Sequence, residues 1–356
     1  MTKRFLNISE IASYTGYNPY DNITPFERFW KRCDPIDYNK LMNKMNLSLF
    51  DSQIQIERIK DTKIQLEDDL KNKKLTKRQF TLKTNEIVKK EKIQDECIKE
   101  ITEKIDNIKL TKSQQIEKTL GKEILNTINS IDISTESKRE QINDIISERV
   151  DLNENDKNVL LKKTENVINT THGILKEDPA ILQFEKKFKV KLDTTQVYNS
   201  KQFKGIYYIG GKVDGLYIDS SDSTKSYVVE VKNRTKGFFS SLRDYESVQI
   251  QLYMWLLNLN QAKLVENYND KLRITIIYKN DLFINSILEY LSIFITNFEN
   301  EFLNNIIEKE LYINKSQNDK KMFINKLYLS EIQTIKNEKY KQILDENDTC
   351  LIDDLD

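Results

Sequence analysis

Between residue 46 and about residue 165 the chain has no proline and a single glycine, Gly121, within a dense mixture of Lys, Glu, Ile and Leu. Such a stretch offers few places where a helix must stop. Ile98, Ile101, Ile105 and Ile108 follow a 3-4-3 spacing, and Ile116, Leu120, Ile124 and Ile128 follow a four-residue step. Each set lies on one helical face. A hairpin or small bundle of long helices is expected over 46–160. Its plain reading is a solvated insertion or packing arm, and its alternative a partner-binding or DNA-clamping arm.

The flanking segments differ in character. Residues 1–45 carry turn signals and aromatics: Gly16, Asn18-Pro19-Tyr20, then Thr24-Pro25-Phe26 leading into Trp30. Two short helices joined by a turn are expected, with Thr24 as cap and Pro25 at the first helical position. From about 157 the pattern becomes helix, strands, helix. Val159–Phe188 is mostly helical, and Tyr207–Ile218 and Ser226–Lys232 are β-rich runs separated by the polar turn Asp219–Lys225. Tyr245–Leu259 is an apolar helix, Leu272–Tyr278 is another strand, and the remainder is helical with an acidic tail. The expected class is α/β, a mixed central sheet flanked by helices with a long inserted helical arm. Its stretches are 1–45, the insertion at 46–160, a core at 161–300, and a C-terminal helical segment and acidic tail at 301–356.

Composition removes several function classes. Basic and acidic residues both number 56 in the 356-residue chain, so the formal net charge is zero. Proteins that coat nucleic acid without specificity are usually basic overall, so any such contact must come from a local patch. His172 is the single histidine, and Ser-His-Asp or Cys-His chemistry would have to run through it. Cys33, Cys97 and Cys350 form no CxxC pair, which argues against zinc or iron–sulfur sites and fits a reducing compartment. Met1–Glu10 lacks the apolar run of a signal peptide, and Phe283–Leu303 is interrupted by Glu289, Glu299 and Glu301. A soluble, intracellular protein with no membrane partner is expected.

The chemistry concentrates in Gly210-Gly-Lys-Val-Asp214-Gly-Leu-Tyr and, after the polar turn, Tyr227-Val-Val-Glu230-Val-Lys232. Side chains alternate along a strand, so Glu230 and Lys232 share one face and Val229 and Val231 take the other. A hairpin sets Asp214 on the neighbouring strand beside Glu230. Two carboxylates and a backbone carbonyl, here that of Val231, make the hard-oxygen site that Mg²⁺ prefers, with Mn²⁺ able to substitute. A lysine one step away can orient or help deprotonate an attacking water and offset charge developing on a phosphate. Phosphodiester hydrolysis needs those parts at that spacing. An ordinary exposed hairpin explains Glu-x-Lys alone in a chain with 31% charged residues. Asp214 in an otherwise apolar strand, flanked by glycines that admit close backbone approach, shifts the reading toward a site.

With these residues the chain resembles the PD-(D/E)XK nucleases, and within them the YqaJ-like viral recombinase group related to lambda exonuclease. Gly173-Ile-Leu-Lys-Glu177-Asp-Pro-Ala180-Ile-Leu-Gln-Phe184 is similar to that family's G-x-x-x-E-x-x-A-x-x-x-F helix, which implies that Glu177 is a metal-site or water-organising carboxylate. Pro179 interrupts this helix unless Asp178 caps a fresh start. Val248-Gln249-Ile-Gln251-Leu-Tyr253-Met-Trp255 resembles the Q-x-x-x-Y/W helix behind the active site. Two glutamines two apart cannot share one helical face; Gln251 is favoured by its spacing to Trp255, with Gln249 second. Ile8-Ser9-Glu10-Ile11 through Gly16-Tyr-Asn18-Pro19-Tyr20 to Trp30 resembles the family's N-terminal segment, which implies that Ser9 and Arg4 help hold a DNA 5′ end. The pieces fall in the family's order and cover about 1–45 and 165–280. The resemblance implies a restriction-endonuclease-like fold with 1–45 as its DNA-end-binding segment. It also implies Mg²⁺-dependent 5′→3′ exonuclease action on linear duplex DNA, in viral recombination, repair or replication. Its expected partners are DNA ends, a single-strand annealing protein and copies of itself in a trimeric ring, in the cytoplasm or virus factory of an infected host.

Other residues read two ways. Lys201, Lys204, Lys212, Lys225, Lys232, Arg234, Lys236 and Arg243 outnumber the acids of the same stretch. Arg234, Lys236 and Arg243 follow the catalytic strand and reach phosphates, or are solvated surface. Lys212, beside Asp214, is a further candidate DNA contact. Phe238 and Phe239 stack on a terminal base or pack into a loop, and His172 is a ligand or a packing residue. The rivals are a RecB-type, structure-specific or single-strand nuclease using the same residues, and a non-catalytic DNA-binding or scaffold protein in which the helical arm matters and the hairpin is a relic.

Overall fold

The computed structural model describes residues 3–72, 77–110, 112–122, 125–126, 136–148 and 152–339. Ile124, Ile128, Cys350, the acidic tail and the His172 side chain lie outside the described residues. The strands are β1 (Arg4–Asn7), β2 (Asn199–Lys204), β3 (Tyr207–Gly211), β4 (Gly215–Tyr217), β5 (Tyr227–Asn233), β6 (Gln261–Tyr268) and β7 (Lys271–Tyr278). The helices are α1 (Ile8–Tyr14), α2 (Ile23–Cys33), α3 (Pro35–Lys71), α4 (Lys77–Lys109), α5 (Lys112–Leu120), α6 (Glu136–Ser147), α7 (Glu154–Phe188), α8 (Asp244–Leu257), α9 (Asp281–Asn297), α10 (Ile306–Ile313) and α11 (Gln317–Ile324).

The class is mixed α/β, with two small mixed sheets ordered β1-β3-β2 and β4-β5-β6-β7. The expected long hairpin in one central sheet is corrected here. The run Tyr207–Ile218 breaks at Lys212–Asp214, so β3 pairs with β1 and β2 while β4 pairs with β5. Pairing of Gly215 with Val229 would bring Val213 opposite Val231 if the ladder continued. Instead the Val231 N–H donates to Asp214 Oδ2 at 2.7 Å, and that side-chain bond ends the ladder.

The chain forms two compact units: Met1–Pro35 with Ile131–Ile145 and Ile168–Asp356, and Ile36–Ser130 with Ile146–Val167. In the first unit, β5 is hydrogen-bonded to β4 and β6, and its alternation organises its surroundings. Tyr227, Val229 and Val231 pack with Val265 against Ala180, Ile181 and Phe184 of α7. The opposite face carries Glu230, Lys232 and Arg234 toward α8. Helix α7 runs through Pro179 without a break. Pro179 is exposed, where water can satisfy the carbonyl that its missing N–H leaves unpaired. Helix α2 opens at Ile23 and not at Pro25, because Asp21 Oδ1 accepts the Thr24 N–H at 3.0 Å and draws Thr24 into the first turn.

A second core in this unit is aromatic. Tyr14, Phe26, Phe29 and Trp30 from the N-terminal helices meet Phe294, Phe298, Phe302 and Tyr312, with Tyr14 stacked on Phe294 at 4.5 Å between centroids. The helices after residue 300 are therefore integral to this unit. In the other unit, the Lys63–Glu91 and Ser52–Cys97 contacts show α3 and α4 running antiparallel. Ile105, Ile116 and Leu120 are buried, on the faces their spacing indicates. No described helix is long and apolar enough to cross a membrane.

Gly210 tests the packing at the end of β3, since a Cβ there would lie 2.6 Å from the Asn199 carbonyl oxygen and 2.8 Å from the Tyr198 ring. Gly210→Ala is expected to destabilise the unit by about 1–3 kcal/mol. A urea-unfolding midpoint equal to that of the parent would show that the backbone approach is not as tight as described.

Candidate active site

The glycine-bracketed Asp214 and the alternation of β5 converge. Gly211 admits Tyr253, whose ring carbon would lie 2.9 Å from any Cβ placed there. Three residues on, Asp214 turns its carboxylate onto the Val231 N–H. Glu230 is 2% exposed, and its Oε1 accepts from Lys232 Nζ at 2.6 Å. Lys232 Nζ also donates to Gln249 Oε1 at 3.3 Å, and Gln249 Nε2 donates to the Tyr253 hydroxyl at 3.4 Å. Glu230 Oε2 is buried with no hydrogen-bond partner among the described residues.

Two carboxylates face one ammonium group here, and the electrostatics record the imbalance. Burial and the neighbouring Asp214 charge push the Glu230 carboxyl up to about 8. Burial raises Asp214 as well, against the pull of Lys232 and the Val231 N–H. Burial lowers the Lys232 ammonium, but Glu230 and Asp214 outweigh it and leave the net shift upward. A buried oxygen without a donor, beside a second acid, suits a divalent cation. Among the described residues, no three His, Cys, Asp or Glu side chains gather closely enough to hold a metal by themselves. A cation held here would need backbone or water oxygens besides the two acids.

The other expected residues distribute unevenly. Glu177 is near enough to feel Asp214, which with burial raises its carboxyl, but it accepts a bond from Gln196 at 3.0 Å. Gln251 is corrected: it donates to the Tyr278 carbonyl and accepts from the Asn280 N–H, both at 2.8 Å, while Gln249 faces Lys232. Arg234 is also corrected. It is 8% exposed and donates to Glu246, at 2.7 and 2.9 Å, and to Glu266 at 2.8 Å, so it serves a buried ion-pair network and not the protein surface. Arg4 lies at the far end of β1, bonded to Tyr207 and paired with Glu299 at 2.7 Å, instead of waiting for a DNA end. Val231 meets Asp214 through its N–H. Ser9, Lys212, Lys236 and Arg243 are exposed, with Arg243 stacked on Phe239 at 4.5 Å. Sequence reasoning missed Tyr253, Gln196 and Asn233, whose side-chain amide donates to the Gly173 carbonyl at 2.9 Å and ties α7 to β5. Tyr253 had a signal: it stands four residues after Gln249, on the same helical face.

No protein-family profile matches the chain, and no curated protein does. Among solved structures, a phage-related exonuclease from Haemophilus somnus 129PT is similar at 18% identity and TM-score 0.28, over 35% of this chain and 67% of that one. An alkaline exonuclease, LHK-Exo, from Laribacter hongkongensis is similar at 13% identity and TM-score 0.31, over 61% of this chain and 92% of that one. Its complex with dAMP is similar at 15% identity and TM-score 0.30, over 49% and 87%. At such scores these likenesses carry no argument about activity, which rests on the side chains themselves.

Two outcomes follow from the buried charges. A carboxyl raised in the folded state stabilises the fold below its unfolded pKa, and that contribution is lost as pH rises through the folded value. Melting temperature of metal-free protein should fall between pH 4.5 and about 8 as Glu230 ionises, with Asp214 and Glu177 acting in the same direction. Glu230→Gln should flatten that slope, and a slope equal to the parent's would contradict the environment described. Arg234→Met leaves Glu246 buried without its partner and Glu266 with Arg273 alone, and should cost about 3–5 kcal/mol in denaturant unfolding; a loss below about 1 kcal/mol would count against the network.

Proposed function

We propose that the chain is a metal-dependent deoxyribonuclease, an exonuclease working 5′→3′ on linear duplex DNA, built on a restriction-endonuclease-like fold. One observation carries the reading: Asp214 and Glu230 meet in a buried, charge-imbalanced site with Lys232, and Glu230 Oε2 lacks a donor. Asp214, Glu230 and the Val231 carbonyl would hold Mg²⁺, or Mn²⁺ in its place. Such an ion, when bound, neutralises phosphate oxygens and lowers the pKa of the attacking water. Lys232, braced by Glu230 and Gln249, holds a fixed positive charge where a phosphate gains negative charge. Glu177, one helix away and within electrostatic reach of Asp214, organises water at the site's edge. The exonuclease polarity, the trimeric ring, an annealing partner and service in viral recombination, repair or replication follow from the resemblance of the N-terminal and helix motifs.

Strand-specific end labels on linear duplex DNA, with and without Mg²⁺, test this. Shortening from the 5′ end that requires the ion, and a closed circle left intact, are expected. Asp214→Asn, Glu230→Gln and Lys232→Met should each reduce the rate by about 100-fold or more. Cutting of the circle would turn the reading to an endonuclease with the same residues. Undiminished cleavage by Asp214→Asn would remove the mechanism altogether.

A further inference from the structure

The face of α8 that carries Gln249 continues beyond the catalytic residues. Tyr245 stands four residues before Gln249, so the two side chains are neighbours on one helical stripe, about 5–6 Å apart at Cβ. Gln249 touches Lys232, so Tyr245 lies one helical turn along the same stripe from the site. Tyr20 reaches this end of α8 from the N-terminal segment and meets Tyr245 edge-on at 6.1 Å between centroids. Its placement is specified: the Asn18 side chain accepts the Tyr20 N–H at 3.0 Å, closing a turn that presents the ring. Yet Tyr20 is 71% exposed, and among the described residues its ring meets no aromatic group but Tyr245. Little apolar area is removed from water by that arrangement, so the fold gains little from holding it. Beside it, Arg243 lies over Phe239 at 4.5 Å and has no carboxylate within ion-pair distance among the described residues.

An exposed tyrosine set edge-on against a half-buried one, beside an exposed guanidinium with no carboxylate partner among the described residues, has the composition of a surface on which a base stacks and a backbone is held, whatever the base. We propose that Tyr20 and Tyr245, with Arg243, bind an unpaired base adjoining the scissile phosphate, so that the substrate strand enters the site unstacked from its complement. This rests on the nuclease reading and narrows its substrate to a strand end with at least one unpaired nucleotide.

Fluorescence anisotropy with the full chain tests it, with calcium replacing magnesium so that binding is read apart from turnover. The probes are a labelled duplex with short single-stranded overhangs at both ends and its twin whose overhang residues are abasic. Tyr20→Ala should weaken binding of the first about tenfold and of the second less than about twofold, with Tyr20→Phe near the parent on both. Tyr245→Leu should repeat the pattern. Equal losses on both probes, or no loss on the first, would overturn the proposal and leave the nuclease reading standing. If the parent chain neither binds nor cleaves any of these DNAs, both readings fall together.

Discussion

Glu230 is a carboxylate almost removed from water on a strand hydrogen-bonded on both sides, and the rest of the site is arranged around that burial. Taking such a charge into a low-dielectric interior costs several kcal/mol unless donors or counter-charges surround it. Lys232 answers one oxygen, and the other is left unanswered. Asp214 adds a second acid to the same place while spending one of its oxygens on the Val231 N–H. That bond does two jobs, ending the β4 ladder and aiming the carboxylate.

The same face of the sheet holds a second buried charge cluster, and the two differ in how their charges balance. Two residues beyond Lys232, Arg234 joins Glu246 and Glu266, and Glu266 also pairs with Arg273. Two acids and two guanidinium groups close that network upon itself. It needs nothing further, and it fastens the first turn of α8 to the strand. Asp214, Glu230 and Lys232 form two acids and one base, a set one charge short. Structural ion pairs and functional sites both perturb pKa values; under the proposed function, the charge count is what tells the two clusters apart. The closed cluster also serves the open one, since Glu246 fixed on Arg234 leaves Gln249, three residues on, facing Lys232.

This explains which parts of the molecule were legible in the sequence. Asp214, Glu230 and Lys232 could be read because a two-residue period and close-set glycines are local signals. The break between β3 and β4 could not, because it depends on a side chain capturing a ladder donor. Strand β6 was hidden because Glu266 and Asn267 look like surface residues until Arg234 and Arg273 pair with the one and Asn233 accepts from the other. Strands β1 and β2 are short, and β2 is largely exposed, so neither carries an apolar pattern. Choosing between Gln249 and Gln251 failed for a related reason. Helix α8 is buried on most sides, so periodicity offers no preferred face, and a long-range ion pair with Glu246 sets its rotation.

The charges that the fold consumes also bear on how a neutral chain would hold a polyanion. The stretch from Lys201 to Arg243 looks like an electropositive patch in sequence, but most of it is spoken for. Lys201 lies over Trp255, Lys204 bonds Ser292 and Thr296, Lys225 pairs with Asp222, and Lys232 and Arg234 serve the two buried clusters. What remains directed outward near the site is sparse. Under the proposed function, contact with phosphates alone would therefore supply a modest share of affinity, and that share would weaken with salt. Under the proposed function the deficit must be met by interactions that do not depend on net charge: an ion shared between the acids and the scissile phosphate, and base stacking on exposed rings. A chain with equal numbers of acids and bases can act on DNA in this way without coating it.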